Sequence, residues 1–342
     1  MARIVTFGEL MIRLQPYDYE RFVQASCLEF SFGGGEANVA VFLANYGLDA
    51  AFVTKLPAHA IGQCAVNSLR RYGVDTSGIV RGGSRVGIYF NEKGASQRSS
   101  VCIYDRAHSA IAEAGSGDFD WDAIFEGAEW FHFTGITPAL GPNVADLCRA
   151  ACQAAKARGA KISCDLNYRG KLWSREQAGA VMADLCRYVD VCIANEEDAK
   201  DVFGIEAEAT DICAGEISRE DYQSVARQLA QRFGFEKVAI ILRESRSASD
   251  NGWSAMLYDG ASGQCSFSKQ YPLHIVDRVG GGDSFAGGLI YALVTGKTAR
   301  QAVEFAAAAS ALKHSVPGDY NMVSVAEVEK LAGGDGSGRI QR

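Results

Sequence analysis

The sequence predicts an α/β fold: a mostly parallel central sheet with helices on both faces, carrying a small β-sheet lid. Short apolar runs recur along the chain with helix-like segments between them. Polar residues collect where those runs end, and two extended stretches interrupt the alternation.

The strand-like runs are Arg3–Phe7, Ala51–Lys55, Trp130–Thr134, Lys161–Asp165, Val189–Ala194 and Val238–Leu242. They are nearly continuous in apolar residues, as strands buried on both faces are. Between them, Glu36–Tyr46, Asn143–Arg158, Arg175–Arg187, Arg219–Phe233, Ser284–Thr295 and Arg300–Lys313 place apolar residues at helical spacing. Ligands of such sheets bind beyond the carboxyl ends of the strands. Here those ends read Gly8-Glu9, Thr134-Gly135, Asp165-Leu-Asn167 and Asn195-Glu-Glu-Asp198, which places the expected site. Residues 10–32 and about 84–106 carry extended Tyr/Phe/Val-rich pieces and are read as the lid, because long structureless loops are uncommon in compact domains. Residues 1–332 are expected to form one domain, and the Gly-rich stretch 333–342 a frayed tail.

The net charge of −7 over 342 residues disfavours nucleic-acid binding, which needs a basic face. Ten cysteines form no Cys-x-x-Cys pair, and Cys148, Cys152, Cys164, Cys186 and Cys192 lie in apolar runs. They read as small core hydrophobes in a reducing compartment. Met1-Ala-Arg runs straight into a strand, and no apolar stretch approaches the ~20 residues of a membrane span. A cytosolic protein with neither leader nor membrane partner is expected. The five histidines show no ligand spacing.

The strongest motif is Asp277-Arg-Val-Gly280-Gly281-Gly282-Asp283, placed just before an apolar helix. Consecutive glycines at a helix N-terminus present backbone N–H groups and the positive end of the dipole, a site for phosphate. Asp283 beside such an anion makes sense as a base taking a proton from an attacking hydroxyl. Taken alone, a glycine turn with an Asp helix cap explains the run equally well.

Asp277-x-x-Gly-Gly-Gly-Asp283 resembles the C-terminal signature of the ribokinase-like (PfkB) carbohydrate kinases, with Arg278 and Gly281 at the usual Thr and Ala positions. Gly33-Gly34-Gly35-Glu36-Ala-Asn38 resembles their N-terminal signature, and the likeness spans roughly residues 3–330. It implies a ribokinase-like fold, Asp283 as catalytic base and Gly280, Gly281 and Gly282 as anion hole. ATP and Mg²⁺ are implied as cofactors, and a monovalent cation is left open. Asn195-Glu-Glu-Asp198 resembles the family's Asn-x-x-Glu motif for Mg²⁺ held through water; the final Asp leaves the acid open among Glu196, Glu197 and Asp198, with Asn195 and Asp198 the preferred pair. Without the resemblance, that run reads as a solvated helix start.

Tyr104-Asp-Arg106 and Asn167-Tyr-Arg169 resemble segments of one subgroup, the 2-keto-3-deoxygluconate kinases, whose arginines face the substrate carboxylate. A planar guanidinium suits that group. The likeness implies a sugar-acid substrate met by Gly34, Asn38, Tyr89, Tyr104, Arg106 and Arg169, with Glu9 either a further pocket candidate or a residue that orients the lid. The nucleotide is expected near Asn195, Arg243, Gly280, Gly282 and Lys313, although the segment Arg243–Trp253 departs from the family's Gly-containing turn. Lid strands in this family often pair between subunits, so a homo-oligomer is expected. Two other readings stand beside this one: a kinase for a neutral sugar or nucleoside, and a non-catalytic sugar sensor on the same fold.

Overall fold

The apolar runs form strands whose alternate residues enter opposite apolar layers. In the strand Lys237–Ser245, Val238 and Ile240 face one layer while Ala239 and Ile241 face the other. The computed structural model describes residues 2–195, 197–206 and 219–338. Fourteen strands are present among them: β1 (Arg3–Phe7), β2 (Met11–Gln15), β3 (Glu29–Gly33), β4 (Asp49–Leu56), β5 (Ile79–Arg81), β6 (Ile88–Glu92), β7 (Val101–Asp105), β8 (Ala128–Thr134), β9 (Lys161–Asp165), β10 (Val191–Asn195), β11 (Lys237–Ser245), β12 (Asp250–Asp259), β13 (Gln264–Phe267) and β14 (Tyr271–His274).

Ten of them build the main sheet in the order β13-β12-β11-β10-β9-β8-β1-β4-β5, with β14 also on β12. From β5 to β11 every pairing is parallel; β12 joins β11 antiparallel and closes that edge with β13 and β14. One layer holds the helices Pro142–Ala157 and Arg175–Leu185, together with all five cysteines singled out in the sequence. The opposite layer holds the helices Gly35–Asn45, Gly281–Val294 and Ala299–Lys313. No helix among the described residues is long and apolar enough to cross a membrane.

The lid is a separate sheet in the order β3-β2-β6-β7. Its tip touches the main body: the Ala248 N–H donates to the Ser96 carbonyl at 2.8 Å, and the Ser96 N–H to Ser249 Oγ at 2.9 Å.

Three expectations need correction. The segment Arg243–Trp253 is not a loop: β11 and β12 run through most of it, pairing Arg243 with Trp253 and Ser245 with Asn251. The helix expected from Ser284 starts at Gly281, because Gly281 and Gly282 belong to its first turn. The helices Ala60–Arg70 and Val325–Ala332 were not anticipated. Of the stretch from Gly333, residues 339–342 lie outside the described residues.

Arg13 of β2 fastens lid to body. It is fully buried, and donates to Asp319 Oδ1 and to Asp277 Oδ2, each at 2.6 Å. Removing one partner of a buried ion pair leaves uncompensated charge and typically costs about 3–5 kcal/mol. Arg13→Met keeps the apolar stem but strands two carboxylates. Denaturant unfolding is expected to show a loss of that size, against less than about 0.5 kcal/mol for a control at exposed Arg187.

Candidate active site

The glycine turn is shaped by its neighbours. Gly280 has φ 82°, a left-handed conformation that favours glycine, and a Cβ there would stand 2.1 Å from the Asp319 carbonyl oxygen. At Gly281 a Cβ would stand 2.6 Å from the His314 ring, so glycine replaces the family's usual alanine because histidine fills the methyl's place. At Gly282 a Cβ would meet nothing within 4 Å: this position opens into the cleft.

Asp283 sits in the first turn of the helix, on the cleft floor. Removal from water pushes its carboxyl up to about 7; the hydrogen bond from Asn38 Nδ2 at 2.6 Å pulls the other way, and the nearby Asp319 and Glu36 add to the rise. A carboxylate poised near neutrality suits a general base. Asn38 Oδ1 accepts from the Gly34 N–H at 3.3 Å, so this amide ties the two signature segments together. Glu36 is buried and accepts from the hydroxyls of Thr134 and Thr137, which fixes the carboxyl end of β8 beside the site.

The cleft encloses about 1510 Å³, lined from the lid by Tyr89, Tyr104 and Arg106 and from the body by Gly34, Asn38, Arg169 and Asp283. That exceeds the roughly 300–1,000 Å³ of a single small-ligand pocket and leaves room for two substrates. Tyr89 donates its hydroxyl to Asp319 at 2.6 Å and stacks on Tyr104 at 6.1 Å between centroids. Arg106 lies over the Tyr104 ring, and its Nε donates to Glu9 Oε2 at 2.7 Å. Glu9 Oε1 accepts from Ser109 Oγ at 2.6 Å, so Glu9 holds a lid arginine in place. Arg169 is exposed, and its Nη1 donates locally to the Tyr168 carbonyl at 3.1 Å.

A smaller adjoining cleft brings together Asp165, Asn195, Glu197, Asp198, Arg243 and Gly282. Burial raises the carboxyls of both Asp165 and Asp198. Asp198 accepts from the backbone N–H groups of Asn195 and Tyr168, each at 3.0 Å, and so locks the loop bearing Arg169. Glu196 lies outside the described residues. Asp165, Asn195 and Asp198 offer the oxygen donors Mg²⁺ prefers. No three acidic, histidine or cysteine side chains among the described residues converge into a metal cage. The donor set therefore fits an ion carried mainly by phosphate and water.

Lys313 does not line either cleft. It is buried beneath the turn, its Nζ donating to the Val316 carbonyl at 3.0 Å, and burial lowers its pKa. Sequence reasoning left Asp165, Asp319 and Arg278 without roles. Asp165 stands at a strand's carboxyl end, a usable signal; Asp319 has none, lying 306 residues from Arg13.

A mostly parallel sheet under a small lid, with a glycine turn and a buried carboxylate at a cleft roomy enough for two substrates, is the arrangement of kinases that phosphorylate small-molecule hydroxyls. The family model described as "pfkB family carbohydrate kinase" matches residues 1–326. The chain belongs to the pfkB family of carbohydrate kinases. It is 35% identical to the 2-dehydro-3-deoxygalactonokinase of Haloferax volcanii, covering 98% of both chains. It is 28% identical to the 2-dehydro-3-deoxygluconokinase of Bacillus subtilis, over 96% of this chain and 94% of the relative. The crystal structure of 2-dehydro-3-deoxygluconokinase from Thermotoga maritima superimposes with a TM-score of 0.93 at 51% identity, covering 97% and 98% of the two chains.

If Asp283 is the base, kcat/KM rises with pH through about 7, since only the deprotonated carboxylate accepts the hydroxyl proton. Asn38→Ala removes the bond that holds this pKa down. The ascending limb of its kcat/KM–pH profile is expected to move upward by on the order of one unit. An unmoved limb excludes Asp283 as the group titrating.

Proposed function

We propose that the chain transfers the γ-phosphoryl group of ATP to the terminal hydroxyl of 2-keto-3-deoxygluconate, giving 2-keto-3-deoxy-6-phosphogluconate. The observation that carries the chemistry is Asp283, poised near neutrality beside the open Gly282. The hydroxyl oxygen attacks the γ-phosphorus, its proton passes to Asp283, the bond to the β-phosphate oxygen breaks, and ADP leaves. The N–H groups of the Gly280–Gly282 turn receive the phosphate oxygens, with no reorganisation needed during the transfer. Asn195 and Asp198 would help hold Mg²⁺ brought in with ATP, which would supply neutralisation of phosphate charge.

The acidic acceptor is supported by the cationic end of the cleft, where Arg106, Arg169 and Lys171 gather. Arg106 is already paired with Glu9, so the carboxylate is assigned chiefly to Arg169, with Tyr104 and Arg106 near the keto group. Gly34 and Asn38 flank the sugar hydroxyls. Arg243 stands on the nucleotide side beside Asn195, and Lys313 acts from beneath the turn rather than by contact. The galactonate-derived epimer is a second acceptor, favoured by the name of the Haloferax relative.

The enzyme is read as cytosolic, in keeping with its unpaired buried cysteines. Residues 1–332 are read as one catalytic unit. The lid's outer strands expose Phe30 at 50% and Ile103 at 52%, an apolar surface suited to a second copy of this chain.

Arg169→Ala tests the acceptor assignment. Steady-state assays of ADP release should show kcat/KM for the keto acid falling by about 100-fold or more, with any slow turnover of fructose unchanged within about threefold. Equal losses for both acceptors would remove Arg169 as the carboxylate's partner.

A further inference from the structure

The Arg278 guanidinium, in the cleft, forms no ion pair among the described residues. Arg278 occupies the position where the family signature usually has threonine, directly before Val279 and Gly280. Its backbone is fixed on both sides. The Asp277 N–H donates to the His314 carbonyl at 3.2 Å, and the Arg278 carbonyl accepts from the Gly281 N–H at 3.4 Å inside the turn.

The side chain is half-buried and lines the same cleft as Gly280, Gly282 and Asp283. Its Nη2 donates to the Ala248 carbonyl at 3.1 Å, the residue whose own N–H meets the lid tip. No carboxylate pairs with it among the described residues. Its neighbour Asp277 is spent on Arg13, the Val279 N–H and the Gly318 N–H. Burial and the nearby charge of Arg243 lower its pKa, while Asp277, already engaged by Arg13, raises it. A guanidinium taken partly out of water without a charge partner is costly, and an anionic ligand removes that cost.

We propose that Arg278 is a catalytic residue, its guanidinium meeting the γ-phosphoryl group of ATP as that group moves to the acceptor. The inference rests on the kinase reading above. The acceptor's carboxylate has cations of its own at Arg169 and Lys171, whereas Arg278 directly precedes the glycine turn. The phosphoryl group reaches Arg278 because it must lie between the glycine turn and Asp283. Charge there spreads over the phosphoryl oxygens in the transition state, and a planar, permanently charged fork stabilises it. The tether to Ala248 holds the fork near a turn that the lid tip also touches, so the cation is preorganised when the cleft is covered.

The test uses the full chain with Arg278 changed to Ala, to Lys and to the family's Thr. Titration calorimetry with Mg-ADP and with Mg-AMP-PNP, a non-hydrolysable ATP analogue, reads the γ-phosphoryl contact without any acceptor. Arg278→Ala should bind AMP-PNP about tenfold or more weakly, with ADP affinity unchanged within about twofold. Its kcat should fall by about 100-fold or more with KM for the acceptor unchanged, Arg278→Lys should recover part of that loss, and added guanidinium should restore some turnover to the Ala variant. Equal weakening of ADP and AMP-PNP, a rise confined to the acceptor's KM, or kcat within threefold of the wild type would each overturn the assignment. Wild-type protein that binds neither nucleotide would instead overturn the kinase reading itself. A fall in thermal midpoint shared by all three variants without the AMP-PNP effect would reduce Arg278 to a structural residue.

Discussion

A guanidinium placed where no water reaches must find its counter-charges inside the protein, and Arg13 finds two. Asp277 opens the phosphate-binding turn, and Asp319 supplies the carbonyl against which Gly280 packs. One side chain on a lid strand therefore sets the separation between the lid, the turn and the loop beneath it. Tyr89, also from the lid, closes the same network through its hydroxyl on Asp319. The cost of breaking any of these contacts keeps the cleft in register, and with it the surroundings of Asp283.

Those surroundings divide the cleft by charge. Acidic groups cluster around the base: Glu36 and Asp319 near Asp283, with Asp165 and Asp198 in the adjoining pocket. Burial above all, with repulsion from Asp319 and Glu36, raises the Asp283 pKa to about 7, in the range a general base needs at physiological pH. Cations line the rest: Arg169, Lys171 and Arg278 in the main cleft, and Arg169 with Arg243 in the adjoining one. Arg106 is the exception, since Glu9 has already neutralised it. A site that must bring a sugar acid, a polyphosphate and a carboxylate base within reach of one another needs this alternation, because like charges left adjacent would exclude one of the substrates.

What could be read in the sequence follows from how local each signal is. β1, β8 and β9 were legible because both faces are covered and every residue in them is free to be apolar, whereas the β12–β14 edge mixes Gly252, Ser254 and Gln264 with its apolar residues and hides its strands. The base was legible because Gly280 to Asp283 are contiguous. Arg13 was not: in Met11-Ile12-Arg13-Leu14-Gln15 alternation reads a charged residue as solvent-facing, and its partners lie 264 and 306 residues away. Separation along the chain also concealed the glycine at 281, which makes sense only once the His314 ring is seen against it. The bond from Arg106 to Glu9 spans 97 residues, so the sequence could offer Glu9 only as a pocket candidate or an orienter of the lid, without naming its partner.

The central claim is that this cleft phosphorylates a keto sugar acid. The most direct measurement is ADP release by the purified wild-type protein with Mg-ATP, comparing 2-keto-3-deoxygluconate and its galactonate-derived epimer with fructose, ribose and adenosine, and locating the new phosphate ester by ³¹P NMR. The account predicts a kcat/KM for one or both keto acids at least about 100-fold above every neutral acceptor, with the ester on the terminal hydroxyl. Turnover of a neutral sugar alone would contradict the carboxylate assignment while leaving Asp283 as base, and no turnover with any acceptor would contradict the account as a whole.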